Sequence, residues 1–269
     1  MPKKVIWGLI ASGLFLLLIV GLGLTTQIHH DKTSHVITAQ KRPLIMIAGS
    51  SSTRSDFDDI VRSLNEQQHH PLITLTIKAN QQLEFSEKRV ENTNLNDALI
   101  VIFFENSADS TANIITQTNG LDKAIRYLQR HQHLTTANAL GYSNGGLIWS
   151  RYLAGLSSSK PLAVHDLMLI GTPFLGTDAA HPDKTLYTPL LDHKSQFKKL
   201  HAVINIAGDT GEGNDDIVPL SSVNAGGKLF MNNATRYTAM TVNQKSISHG
   251  DLLHEAYVAR LIRQNLINQ

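Results

Sequence analysis

The chain has no cysteine. That excludes a disulfide framework, a thiolate metal site, a cysteine nucleophile and a lipid-modified cysteine anchor. It also lacks an excess of one charge: 24 Lys and Arg stand against 22 Asp and Glu, a formal net charge of +2, and the basic residues are dispersed. Nothing in that pattern resembles a nucleic-acid surface, so no nucleic-acid partner is expected. There is no internal repeat and no low-complexity tract. What is present is bulk: 269 residues, 42% hydrophobic, enough for one sizeable core without covalent staples. Histidine is plentiful at 13. The pairs His29-His30 and His69-His70 sit in polar stretches and read as solvated.

One long apolar run exists. Lys3 and Lys4 precede an uncharged stretch over residues 5–24, about the roughly twenty residues that span a bilayer. A cleaved signal peptide has a shorter apolar core and a small-x-small cleavage site, and neither fits well here. Residues 1–24 are therefore expected to be a signal-anchor transmembrane helix. The lysines ahead of it place the N-terminus in the cytoplasm and the rest of the chain outside the cell. Residues 25–41 are polar and aperiodic and read as a tether; residues 42–269 are expected to be one folded domain.

The domain is organised around residues 137–153. A short apolar run meets Gly141-Tyr142-Ser143-Asn144-Gly145, and helical spacing follows at once. This is G-x-S-x-G between strand and helix, the turn that exposes a serine nucleophile. Side chains at the two glycines would collide with neighbouring backbone, and the helix that follows aims its first amides at an oxyanion beside Ser143. Apolar runs at residues 43–48, 98–104, 166–170 and 202–207 read as buried strands; residues 72–78 and 236–242 are weaker ones, and residues 83–90 a partner for the former. Helices are expected over residues 55–64 behind a serine cap, over 121–132, where Leu121, Ala124, Ile125 and Leu128 recur at i, i+3, i+4 and i+7, and from Asp251 to the end. Alternating strands and helices predict an α/β fold: a doubly wound, mostly parallel sheet of the α/β-hydrolase type. Residues 175–200 are polar and fit an insertion over the sheet that serves as a cap.

A serine nucleophile needs a base and the base an acid, in the chain order Ser, Asp or Glu, His. Two loops at carboxyl ends of strands fit. One holds Asp215 and Asp216, with Asp209 just before it; the other holds His249. The second oxyanion amide is expected from the loop after the first strand, at Ser50, beside that of Asn144. No metal site is expected, because His249 and His254 are five residues apart and zinc pairs on a helix use i, i+4.

Several motifs together are more specific: Gly141 to Gly146, Thr172-Pro173-Phe174-Leu175-Gly176, Asp215-Asp216-Ile217-Val218-Pro219, and His249 ahead of Leu252-Leu253-His254. From about residue 43 onward the chain resembles the exported, lipase- and esterase-like α/β hydrolases of Gram-positive cell surfaces. The resemblance maps the acid to Asp215 and the base to His249. It departs at Ala48-Gly49, where the family reads His-Gly, and at Tyr142, where histidine is common and substitution is tolerated. It implies a membrane-anchored extracellular serine hydrolase that needs no cofactor. The substrate would be a small-molecule, lipid or cell-envelope ester or related acyl bond. An amidase or peptidase with the same triad, and a surface binding protein without turnover, are the alternatives.

Overall fold

The computed structural model describes residues 41–66, 68–85, 95–244 and 247–267. The expected membrane span, and the tether up to residue 40, lie outside the described residues. Among those described, no helix is long and apolar enough to cross a membrane.

Eight strands form one sheet: β1 (Leu44–Ile47), β2 (Leu72–Ile77), β3 (Leu83–Phe85), β4 (Leu99–Phe104), β5 (Thr136–Tyr142), β6 (Ala163–Ile170), β7 (Ala202–Asp209) and β8 (Arg236–Asn243). Their order is β3-β2-β4-β1-β5-β6-β7-β8. Every neighbouring pair is parallel except β2 and β3, which run antiparallel at the edge. The central strands are apolar on both faces because both faces are covered. Ile45 and Ile47 of β1 face one apolar cluster, and Leu44 and Met46, alternating with them, face the other.

Two long helices cover the first face. These are α2 (Thr111–Gln132), through Ile114, Leu121, Ile125 and Leu128, and α3 (Asn144–Leu153), through Leu147, Ile148 and Trp149. On the second face lie α1 (Asp58–Asn65), through Ile60 and Leu64, and a C-terminal helix, Ala256–Ile262, through Val258 and Ile262. The doubly wound, mostly parallel sheet expected from the sequence is present.

Several boundaries differ from expectation, each for a physical reason. The helix expected from Leu121 starts ten residues earlier, capped by the Ser110 hydroxyl accepting the Asn113 amide at 3.2 Å. Its first turns bury polar Asn113, Gln117 and Thr118, whose side chains bond backbone carbonyls, so no apolar period marks them. The cap before α1 comes from Thr53 and Asp56, not from a serine; the Thr53 amide donates to the Asp56 carboxylate at 3.0 Å. His70, read as solvated, is buried with Nδ1 3.0 Å from Asp97 Oδ1. The C-terminal helix is not continuous from Asp251, because Glu255 is extended and separates a short 3-10 turn (Gly250–Leu253) from Ala256–Ile262.

Two five-residue helices, α5 (Leu220–Asn224) and α6 (Gly226–Phe230), went unforeseen, being too short to show a period. Residues 175–200 divide. Those from 177 to 185 are exposed, whereas Leu186, Leu190 and Phe197, in and around α4 (Tyr187–Asp192), belong to the first core cluster. The second half is thus a crossover packed under the sheet, leading from β6 to β7.

Phe230 ties that crossover to the sheet. Its ring is fully buried, with centroids 4.6 Å from Phe197, 6.1 Å from Phe174 and 6.3 Å from Tyr237. Phe230→Ala should cost about 3–5 kcal/mol of stability, read as a lowered midpoint in chemical denaturation. A loss under about 1 kcal/mol would mean that the crossover packs independently of this ring.

Candidate active site

Ser143 stands where β5 turns into α3. Its φ of 53° and ψ of −127° are rare for a residue with a side chain. Its amide donates to the Ile170 carbonyl of β6 at 2.8 Å, and its carbonyl accepts from the Gly146 amide at 2.9 Å. Both elbow glycines are required by space: a Cβ on Gly141 would lie 2.6 Å from the Gly146 Cα, and one on Gly145 would overlap the Ile47 carbonyl oxygen of β1. Next to the elbow, the Asn144 side chain donates to the Ser50 hydroxyl at 2.7 Å and to Asp109 Oδ1 at 2.8 Å. Those two bonds pull the loop after β1 and the loop after β4 against the start of α3.

The two loops singled out downstream of Ser143 meet. His249 Nδ1 lies 2.8 Å from Asp215 Oδ2, and both residues are buried. The other Asp215 oxygen accepts the amides of Val218 at 2.7 Å and Ile217 at 3.2 Å. The two other acids are elsewhere. Asp216 is exposed, with a φ of 70°. Asp209 Oδ1 accepts the amides of Gly211 and Gly213, each at 2.9 Å, and so builds the loop itself. His254, five residues beyond His249, bonds Asp59 on the far surface at 2.9 Å.

The imidazole is held from its own side too. The Tyr142 hydroxyl donates to the His249 carbonyl at 2.9 Å, and the two rings stack with centroids 5.0 Å apart. Burial, then the charge of Asp215, pushes the Tyr142 phenol well above its ordinary range, so it stays a donor. The Ser248 amide and hydroxyl both bond Asp251 Oδ2, at 2.9 and 2.6 Å; these bonds fix the turn that carries His249 and hold the Asp251 carboxyl low. His249 Nε2 is buried without a hydrogen-bond partner among the described residues, and no bond joins it to Ser143 Oγ. Such bonds are often long before a substrate is bound. Ser143, His249, Ser50 and Asn144 line one cavity of about 540 Å³.

That cavity also shows what the sequence reading missed. Tyr142 is a support for His249 and not an indifferent position. Asp109, flagged by no motif, reaches the site only through folding. Apolar walls come from Ile114, Leu147, Phe174 and Leu186, while Asp109, Asp178 and Asp183 bring carboxylates to the rim. Bonds from His181 and Thr185 hold the carboxyls of Asp178 and Asp183, respectively, below their usual range. A second cavity, of about 680 Å³, lies beside the starts of β6 and β7 and contains none of these residues.

Residues 31–269 match a family described as alpha/beta hydrolase of unknown function, DUF915. The chain belongs to that family. No curated protein matches it. Among solved structures it is similar to a candidate cell surface hydrolase from Lactobacillus plantarum WCFS1, at 29% identity and a TM-score of 0.71, over 84% of this chain and 91% of that one. A gene product of Listeria innocua gives 21% identity and a TM-score of 0.73, over 83% and 92%. A Bacillus licheniformis lipase shares the fold at 11% identity and a TM-score of 0.52, over 85% and 93%. This α/β hydrolase thus has lipase- and esterase-like structural neighbours.

The Asp215 contact has a direct spectroscopic consequence. A carboxylate 2.8 Å from Nδ1 holds the neutral ring as the Nδ1–H tautomer. In ¹⁵N-resolved histidine spectra, Asp215→Asn should shift His249 away from that tautomer, and Asp216→Asn should leave its signal in place. The opposite ranking would transfer the contact to the neighbouring acid.

Proposed function

We propose that this α/β hydrolase is a serine hydrolase of ester or related acyl bonds, using Ser143 as nucleophile, His249 as base and then acid, and Asp215 as the orienting carboxylate. One observation carries the reading. An imidazole fixed on one side by a buried carboxylate presents its other, unpartnered nitrogen to a cavity shared with a serine on a strained turn. Ser143 Oγ would attack the acyl carbon as Nε2 takes its proton; Nε2 would then hand that proton to the leaving group, and water would release the acyl group by the same steps reversed. The backbone amides of Asn144 and Ser50 would receive the oxyanion, each donor worth about 3–4 kcal/mol. Amide cleavage would use the same groups; the lipase and esterase likenesses support the ester. The carboxylates at the rim favour a neutral or cationic substrate over an anionic one.

The apolar run at residues 5–24 behind Lys3 and Lys4, and the surface location in the name of the Lactobacillus protein, support anchoring in the cell membrane with the hydrolase domain outside. Protease added to intact cells should then remove the domain, which otherwise sediments with membranes. A mature chain free in the medium, beginning near Thr25, would replace the anchor by a cleaved signal peptide.

The nucleophile is tested by covalent labelling. A fluorophosphonate probe should label the wild-type protein. Ser143→Ala should abolish labelling while the circular dichroism spectrum stays unchanged, and His249→Ala should slow it by about 10³-fold or more. Full-rate labelling of His249→Ala would make that histidine structural. A folded wild-type chain that resists probes of several sizes would instead be a binding protein built on a hydrolase fold.

A further inference from the structure

Among the described pairings of the sheet one is irregular, far from Ser143. Along β5 and β6 the partners run Thr136 with Ala163 and Ala137 with Val164, then Ala139 with Leu167. Between them one residue of β5, Asn138, faces two of β6, His165 and Asp166. Such bulges are rare in parallel ladders, and they re-aim side chains. Consecutive residues of a regular strand point to opposite faces. Here they meet: His165 Nδ1 is 2.8 Å from Asp166 Oδ2. His201, just ahead of β7, donates its amide to the His165 carbonyl at 2.8 Å and lays its ring 4.4 Å from the His165 ring. Its Nδ1 lies 2.9 Å from the other Asp166 oxygen. Asp166 is 1% exposed, and the two histidine side chains are 32% and 39% exposed. Asn138 braces the bulge backbone, its Oδ1 accepting the Asp166 main-chain amide at 3.3 Å and its Nδ2 donating to the Leu266 carbonyl at 2.7 Å.

We propose that His165, Asp166 and His201 form a binding site for one divalent transition-metal ion, with zinc the best fit. Two imidazoles and one carboxylate are a borderline nitrogen and oxygen donor set, suited to zinc and its neighbours and not to calcium or magnesium. The donor atoms lie within 4.8 Å of one another. A tetrahedron with bonds of about 2.0–2.1 Å has edges of roughly 3.3 Å, so each ring has to back away from its Asp166 oxygen by about half an ångström and both have to turn toward one shared point. They are the accessible members of the cluster, while the carboxylate is fixed. The ion replaces both hydrogen bonds to Asp166: each ring exchanges its Nδ1–H tautomer for the Nε2–H one, so no net proton is lost, the freed Nδ1 lone pairs turn to the shared ion, and water fills the fourth position.

The site's place in the fold gives it a structural role. Asp166 pairs with Ala202 on the first rung of β6 and β7, and Ile170 with Ile206 on the last. Four rungs span about 13 Å, and Ser143 lies beyond the last of them. The ion therefore does not touch the acyl chemistry. It clips together the starts of the two strands whose far ends carry Gly171 and the Asp215 loop.

The test uses the full-length chain in detergent, stripped with a chelator and then titrated with zinc chloride or cobalt(II). One equivalent of zinc should bind by calorimetry, the melting temperature should rise with the logarithm of free zinc, and cobalt should give the visible absorption of a four-coordinate site. His165→Gln and His201→Gln, both at accessible positions, should each weaken binding at least 10-fold and remove the cobalt band; Ser143→Ala should keep both signals. No stoichiometric zinc binding by the wild-type chain would overturn the proposal on its own. So would undiminished binding in the His165→Gln/His201→Gln double variant, which would move it to other histidines. Either result leaves a hydrogen-bonded His–Asp–His bridge and nothing more.

Discussion

Close approach of three side chains to the backbone of neighbouring strands is the constraint on which this site depends, and three glycines make the approach possible. A Cβ on Gly49 would lie 2.6 Å from the Ser143 Cβ, one on Gly171 would lie 2.8 Å from His249 Cε1, and one on Gly208 would lie 2.8 Å from the Asp215 Cβ. These glycines follow or end β1, β6 and β7, while the three side chains they make room for come from other segments. Each member of the Ser143, His249 and Asp215 set is therefore seated against the end of a neighbouring strand. The parallel register of β1, β5, β6 and β7, regular toward their carboxyl ends, fixes those ends relative to one another, which is how a sheet positions groups that lie 72 and 34 residues apart in sequence.

The electrostatics follow from that packing. A fully buried carboxylate is costly unless its lone pairs are met. Asp215 meets two backbone amides with one oxygen and the imidazole with the other, so its charge is compensated before any proton moves. The stacked Tyr142 ring packs against the face of the same imidazole. A tyrosine at this position also returns a hydrogen bond to the His249 backbone, which couples the elbow directly to the histidine loop. The chain thus places at this position a large ring that supports the imidazole from behind.

How much of this the sequence disclosed depended on the kind of signal. Strands buried on both faces are unbroken apolar runs, and β1, β4, β6 and β7 were legible for that reason. The elbow was legible because steric exclusion leaves glycine at fixed spacing around Ser143. The Asp215 and His249 loops were legible by chain order; between Asp215 and Asp216 the resemblance favoured the first, and the fold buries Asp215 and exposes Asp216 with a positive φ. The first half of α2 was hidden because, Ile114 apart, its buried side chains Asn113, Gln117 and Thr118 are polar and bond to backbone carbonyls, giving no apolar period. Asp109, Gly49 and the His165–Asp166 bulge were invisible for a common reason: each is defined by contact across the sheet or between loops, and none leaves a local pattern.

Strain at Ser143 persists because its surroundings over-determine it. An unusual φ and ψ costs of order 1–3 kcal/mol and relaxes wherever neighbours can shift. Here they cannot. All ten residues of α3 are buried, the Trp149 indole donates to the Leu140 carbonyl of β5 at 3.0 Å, and the Ser143 amide is held by β6. A helix locked to the strand it follows leaves the intervening residue no other path, so the hydroxyl is preorganised without any bond of its own to His249. Adaptation to a substrate must then come from outside this frame. Residues 177–185 are exposed and supply part of the cavity's border, built from local turns around Asp178 and Asp183 instead of core contacts. The protein thus separates a rigid centre around Ser143, His249 and Asp215, seated against glycines at the strand ends, from a rim that core packing does not fix.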